Sequence, residues 1–341
     1  MIKNKIIAII FMIGISLALL FIINNNSKNF TYTNNQISKE GFFFDTYIRI
    51  TLYDCKENSN ASKDFDTLLD DCFDLCLHYE MIFSPTNKDS ELYKLNNNSE
   101  YLSGNNVQMS TTLDDIISKT ISTTTPFKSK FSIYSGDLCA LWDITNKEIP
   151  SNEDIENALD KLANTIPTSI TLGASAKGYI ADKLSEYLKK HGINEALIDL
   201  GGNIVAIGDK YNNELYSIGI KKPFESASDI IATVKIENKS IVTSGIYERY
   251  FENNGTIYHH IIDLETGRPV NNDILSVTII ADSSLVADCY STGCLLMGID
   301  YTLNIVNNNL YEDVECIIVD KYYNIHLSNG LTRKNGQIYL K

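Results

Sequence analysis

The alternation of apolar and polar positions changes character several times along the chain. Lys3 and Lys5 precede an apolar run from Ile6 to Ile23, broken only by Gly14 and Ser16. A helix of that run spans about 27 Å, close to the thickness of a bilayer hydrocarbon core. No polar face exists to make it amphipathic, so a buried helix of a soluble body is the weaker reading. A cleaved signal peptide is the nearer rival, but the run ends in Ile22-Ile23-Asn24-Asn25 with no small-x-small site. The first cysteine is Cys55, so no lipobox follows. The pattern therefore predicts an uncleaved signal-anchor over residues 1–28, with Lys3 and Lys5 cytoplasmic and the remainder outside. Asn24 to Glu40 is rich in Asn, Ser, Thr and Lys, which predicts a flexible tether over 29–40 and a folded body over 41–341.

Within the body, Phe42 to Tyr53 mixes aromatic and β-branched residues in partial alternation and reads as a strand. Phe65, Leu68, Leu69, Cys72, Phe73, Cys76 and Leu77 recur at helical spacing, predicting a helix over Asp64 to Met81. Cys72 and Cys76 fall on that apolar stripe and read as small core side chains rather than a metal pair. Further helices are predicted over Ser110 to Thr125 and Ser151 to Leu162. Glu153 and Asp154 stand near the start of the latter, where the helix dipole favours anions.

The middle of the chain carries candidate chemistry. Ile170 to Asp182 runs from a short strand, through Gly173-Ala174-Ser175-Ala176-Lys177-Gly178, into a helix ending near His191-Gly192. Small residues let a ligand approach the backbone, the helix N-terminus attracts phosphate, and Lys177 supplies a point charge. The spacing matches neither a P-loop nor a dinucleotide-binding fingerprint, and many Gly-rich turns only serve packing. Ala196 to Leu200 and Asn203 to Gly208 flank a Gly-Gly turn, an antiparallel arrangement. His259 and His260 are adjacent, so in a strand they face opposite sides and make a poor chelating pair. Ala287 to Gly298 reads as an apolar helix with Asp288 and Thr292 at i and i+4 on one face. Oxygen ligands so placed suit a hard cation such as Mg²⁺, although on the spacing alone a local Asp–Thr hydrogen bond is the better reading.

Composition narrows the classes. The chain has 341 residues, 44% hydrophobic and 21% charged, which suits a folded globular body and excludes wholesale disorder or coiled coil. A formal charge of −14 argues against nucleic acid as partner, because that binding rests on Lys and Arg neutralising phosphates. Seven cysteines are too few for a disulfide scaffold, and an odd count leaves at least one unpaired.

The dense stretches, taken in order, resemble the ApbE family, the Mg²⁺-dependent FAD:protein FMN transferases. The matching elements are Phe44-Asp45-Thr46, Ser90-Glu91-Leu92 with Asn96, and Leu172 to Tyr179. They continue with Leu200-Gly201-Gly202-Asn203, Thr243-Ser244-Gly245-x-Tyr247-x-Arg249, His260 to Asp263 with Thr266-Gly267-x-Pro269, and Ala287-Asp288-x-x-Ser291-Thr292. The resemblance implies an α+β, T-fold-related architecture of mixed and antiparallel sheets with packed helices, preceded here by the N-terminal membrane helix. It implies a reaction that cleaves the FAD diphosphate, attaches FMN by a phosphoester to Thr or Ser of a target flavoprotein, and releases AMP. The partners it implies are flavoproteins of extracytoplasmic electron transfer, in keeping with the expected anchor in the cell membrane.

Carried over residue by residue, the resemblance implies FAD contacts at Phe44, Lys130, Phe131, Ser132, Thr171, Lys177 and Ile262. The implied metal ligands are the Ala174 carbonyl, the Asp288 carboxylate and the Thr292 hydroxyl, with His260 as the group that accepts the target hydroxyl's proton. Relatives often carry Asp at the position of Ser132 and Pro at that of Leu264. Many also place an adenine-stacking aromatic near Pro85 or Thr86, where this chain has none, leaving Phe83 as the candidate substitute. Three other functions fit the same residues: a Mg²⁺-dependent FAD pyrophosphatase, a surface FAD-binding protein without chemistry, and a tethered structural adhesin.

Overall fold

The computed structural model describes residues 30–33, 36–53, 64–164, 169–210, 214–226 and 228–341. The expected signal-anchor over 1–28 lies outside the described residues. Among the described residues no helix is long and apolar enough to cross a membrane.

The backbone of the fold is a nine-stranded sheet. Its strands, in spatial order, are Phe30–Thr33, Gln36–Phe43, Thr46–Tyr53, Ala196–Leu200, Asn203–Ile207, Ser240–Gly245, Ile274–Ala281, Glu315–Asp320 and Ile325–Leu327. Every pairing between them is antiparallel. A four-stranded sheet, in the order Leu331–Lys334, Gln337–Leu340, Ile230–Ile236 and Tyr216–Lys221, contains one parallel pairing. Helices pack on the large sheet, so the architecture is the expected α+β with mixed and antiparallel sheets.

Side-chain alternation explains why the central strands read as solid apolar runs. Val277 and Ile279 point into the core beneath the helices, whereas Ile280 points into the core shared with the small sheet. Cys316 and Ile318 divide from Ile317 in the same way, and Val242 from Ile241. All eight residues of Ile274–Ala281 are buried because both faces of that strand are covered. The six described cysteines, Cys72 and Cys76 among them, are free, and five of these are buried.

The predicted helices appear as Phe65–Phe83, Thr111–Thr123 and Asn152–Ala163. Asp64, Ser110 and Ser151 each cap one through a side-chain oxygen. The Ala196–Ile207 hairpin also forms as read. Three expectations are corrected. First, Phe42 to Tyr53 is not one strand but the arms of a hairpin that reverses at Phe44-Asp45, with φ of 54° and 57°. Such a reversal normally takes Asn or Gly. Here the Glu80 carboxylate accepts the Phe44 N–H at 3.0 Å and holds the turn from another element.

Second, the tether expected over 29–40 contains the Phe30–Thr33 strand and the first half of the Gln36–Phe43 strand. Its polar composition misleads because Gln36–Phe43 pairs along its length with Thr46–Tyr53, and Phe30–Thr33 pairs in turn with Gln36–Lys39. Ile37 is buried, and Lys39 lies over the Phe73 ring while pairing with Asp70 at 2.5 Å. Third, Ile170 to Leu172 forms no strand: the Asn96 amide takes its hydrogen bonds instead, accepting from Ile170 N at 2.7 Å and donating to Ile170 O at 2.9 Å.

Removing residues 1–28 leaves every described strand in place, so a chain starting at residue 29 should melt as a single folded body. Removing residues 1–40 deletes two strand segments and exposes the site of Ile37, whose burial alone is worth about 1.5–3 kcal/mol. Thermal melts of the two truncations should show a clearly lower midpoint for the second, and equal midpoints would contradict this placement of the N-terminal strands.

Candidate functional site

The site forms where two helices meet above the sheet. The first, Ala176–Lys190, begins after a tight turn in which the Leu172 carbonyl accepts from both Ser175 N and Ala176 N. The second, Ser284–Met297, is capped by Ser283. Gly178 is the third residue of the first helix, so its N–H has no partner within that helix. It donates instead to Asp288 Oδ2 at 2.9 Å. Only glycine permits this approach, because a Cβ at residue 178 would collide with the Ser284 carbonyl and come within 2.8 Å of Asp288 Cβ. The Asp288 carboxylate thus sits at the positive end of the first helix.

Asp288 is 3% exposed. Its bond from Gly178 is its one side-chain hydrogen bond among the described residues, and no Lys or Arg there forms an ion pair with it. A buried carboxylate with so little compensation is costly unless a cation completes it. One turn on, Thr292 Oγ1 lies 3.0 Å from Ser244 Oγ, which also lies 2.7 Å from Ser291 Oγ. Ser291 in turn donates to the Asp288 carbonyl at 2.9 Å. This hydroxyl chain fixes the Thr292 rotamer on the strand below. Ala174 is in the turn just before the first helix, two residues ahead of its start. Among the described residues no cluster of three His, Cys, Asp or Glu could hold a metal. One carboxylate, one hydroxyl and one carbonyl nevertheless suit Mg²⁺, which keeps waters and takes phosphate oxygens as ligands.

The two histidines have different jobs. His259 ends the Thr256–His259 strand and is 3% exposed. Its Nε2–H donates to the Val270 carbonyl at 3.0 Å, and its Nδ1 accepts the Ile261 N–H at 3.3 Å. Both ring nitrogens are therefore satisfied only in the neutral form, and burial pushes the pKa down to about 4. His260 lies just past the strand end and is half-buried. Its Nδ1 donates to the Arg249 carbonyl at 3.2 Å, which leaves the lone pair on Nε2. Burial lowers its pKa to about 3, aided by the nearby positive charges of Arg249 and Lys177. Lys177 and Arg249 have no side-chain partner among the described residues, so two cations flank a neutral imidazole. Arg249 belongs to the stretch singled out in the sequence, but its charge beside His260 became visible only in three dimensions.

The remaining expected contacts divide. The Thr171 N–H donates to the Ile133 carbonyl at 2.8 Å, which brings Thr171 alongside the segment that follows Lys130, Phe131 and Ser132. Phe131 packs against the two main cores and Ser132 Oγ accepts the Tyr134 N–H at 3.2 Å. The Lys130 ammonium is committed to Asp263 at 2.7 Å and Glu265 at 3.4 Å, and these carboxylates raise its pKa. That ion pair anchors Ile262–Asp263, so any ligand contact from Lys130 falls to its main chain. Phe44 is the hairpin residue held by Glu80, and it packs on the same core as Phe131. Phe83, the candidate for adenine stacking, is corrected: it is 3% exposed, stacked on Tyr79 and edge-on to Tyr179. A ring so enclosed presents no face to a nucleobase.

The pKa of His259 generates a pH prediction. The unfolded state binds the proton first, below about pH 6.5, so stability is full above that value and falls as pH drops toward about 4. The limiting slope is about 1.4 kcal/mol per pH unit. His259→Gln should cost stability at pH 7 yet flatten the fall of the melting midpoint between pH 6.5 and 4.5. An unchanged slope would show that His259 does not titrate on unfolding.

Comparison with known proteins places this geometry. Residues 44–318 match the model of the ApbE family. A relative from Klebsiella pneumoniae (strain 342), named FAD:protein FMN transferase, is 37% identical over 218 residues, covering 59% of this chain and 66% of its own length. One of the same name from Treponema pallidum (strain Nichols) is 28% identical over 316 residues, covering 84% of this chain and 85% of its own. Among solved structures, the ApbE protein from Thermotoga maritima superposes with a TM-score of 0.74 at 26% identity, covering 86% of this chain and 96% of that one. The flavin transferase ApbE from Vibrio cholerae gives 0.72 at 24% identity, with 86% and 97% covered. The chain belongs to the ApbE family.

Proposed function

We propose that the chain is a Mg²⁺-dependent FAD:protein FMN transferase that attaches FMN to Thr or Ser of flavoproteins outside the cytoplasmic membrane. The observation that carries this reading is the buried Asp288 carboxylate, held by one N–H at a helix N-terminus and lacking an ion pair among the described residues. Relatives named FAD:protein FMN transferase support the donor and the reaction class. The apolar run from Ile6 to Ile23 supports an anchor in the cell membrane with residues 41–341 on its outer side.

On this reading Asp288, Thr292 and the Ala174 carbonyl would hold Mg²⁺, and Mg²⁺ supplies neutralisation of the charge that develops on the diphosphate. Lys177 and the N–H groups at the start of the Ala176–Lys190 helix orient the diphosphate. His260 Nε2 accepts the proton of the target hydroxyl. The hydroxyl oxygen forms its bond to the FMN phosphorus, the bond to the AMP oxygen breaks, and AMP departs. A pKa near 3 makes His260 a weak base when the site holds no anion. A diphosphate beside Lys177 and Arg249 offsets two of the causes of that depression, so the base strengthens when substrate is present.

Two variants test the assignment with FAD, Mg²⁺ and an acceptor flavoprotein. His260→Ala should lower the transfer rate at saturation by about 10²–10⁴-fold while FAD affinity stays within a small factor. Asp288→Ala should abolish Mg²⁺-dependent turnover, and Thr292→Val should weaken it less. Flavin retained on denatured acceptor reports transfer, whereas free FMN reports hydrolysis of FAD by water. An unchanged Mg²⁺ activation curve for Asp288→Ala would rule out the metal assignment.

A further inference from the structure

Asp182 stands four residues after Gly178, on the same side of the Ala176–Lys190 helix. Its carboxylate accepts from Ser283 Oγ at 2.6 Å, Ser284 N at 2.7 Å and Leu285 N at 3.0 Å. Ser284 is in turn four residues before Asp288, which takes the Gly178 N–H. Two points one turn apart on one helix therefore grip two points one turn apart on the other. Ser283 Oγ accepts the Val286 N–H at 3.3 Å, while Asp182 takes the first-turn N–H groups of Ser284 and Leu285, so the two residues share the cap of the second helix. What Asp182 adds is a bond between the helices. Packing on the sheet gives the second helix its general placement, and a second polar tie beside Gly178 resists the small rotations and slips that would move Asp288 and Thr292 by different amounts. With both ends tied, its rotation and axial position are set.

We propose that Asp182 is a positioning residue for the metal centre: its carboxylate locks the Ser284–Met297 helix in register with the Ala176–Lys190 helix, so that Asp288 and Thr292 aim at one ion. The proposal rests on the reading of Asp288 and Thr292 as metal ligands. Asp182 touches neither the ion nor the flavin on this account. Its loss should change metal affinity first, and flavin affinity in the absence of metal should not follow. Burial of Asp182 raises its pKa, yet three donors converge on it, an arrangement that an uncharged side chain of the same size satisfies only in part.

The test uses the full chain, Mn²⁺ as the probe and ADP as an uncleaved diphosphate, with bound Mn²⁺ followed by electron paramagnetic resonance. Asp182→Ala should raise the Mn²⁺ dissociation constant by about 10-fold or more, the usual effect of removing a group that orients a metal ligand. Asp182→Asn keeps one acceptor oxygen and should fall between Ala and the parent, and it carries the test if the Ala variant does not yield folded protein. Quenching of flavin fluorescence in metal-free buffer should report the same FAD affinity in all three proteins. Unchanged Mn²⁺ affinity in a folded Asp182 variant, alongside lost Mn²⁺ binding in Asp288→Ala, overturns the role of Asp182 alone. A parallel fall in metal-free FAD affinity also overturns it, since that marks general loss of structure. Retained Mn²⁺ affinity in Asp288→Ala overturns the metal reading and the proposal with it.

Discussion

The hydrogen bond from the Gly178 N–H to Asp288 Oδ2 is the contact on which the site depends. It requires a residue without a side chain at 178, a helix that begins at Ala176, and a second helix whose fifth residue faces the first. Each requirement is met by a different part of the chain. The turn before residue 176 is set by the Leu172 carbonyl, and the start of the second helix is set by Ser283 and Asp182. The result is a carboxylate placed where the helix dipole favours an anion, with its remaining charge uncompensated by Lys or Arg among the described residues. On the proposed function, that uncompensated charge is what a cation and its phosphate ligands would complete.

The large sheet makes that placement rigid. Ile274–Ala281 is buried on both faces, so the sheet beneath the second helix is closely packed from either side. Ser244 projects from a neighbouring strand into the hydroxyl chain that reaches Thr292. On the other flank, the Tyr250–His259 hairpin carries His260 beside Lys177. The imidazole is kept neutral by burial and by two cations, while an anionic substrate relieves part of that effect. On the proposed function, substrate charge beside Lys177 and Arg249 would raise the basicity of His260.

Much of this was legible in the residues before any fold was known. The i, i+4 spacing of Asp288 and Thr292 and the small residues around Lys177 were compatible with a hard cation and a phosphate but not specific for them, and the helices that carry them formed as read. The ApbE resemblance joined these stretches into one site. What escaped was decided by partners distant in sequence. The Phe44-Asp45 turn lacks Asn and Gly because Glu80 holds it. The polar segment before Phe42 is a strand because Thr46–Tyr53 supplies its hydrogen bonds. Phe83 was the candidate for adenine stacking but stacks on Tyr79, and Lys130, expected at the flavin, gives its ammonium to Asp263. The difference between His259 and His260 depends on where a hairpin strand stops, which local periodicity does not reveal.

The central claim is that a cation is held jointly by Asp288 and a diphosphate, neither of which suffices alone. Calorimetric titration of Mg²⁺ into the protein with and without saturating ADP tests it directly. The account predicts weak binding without ADP and an affinity at least about tenfold higher with it, a coupling of about 1.4 kcal/mol or more. Equal Mg²⁺ affinity in the two titrations would contradict it.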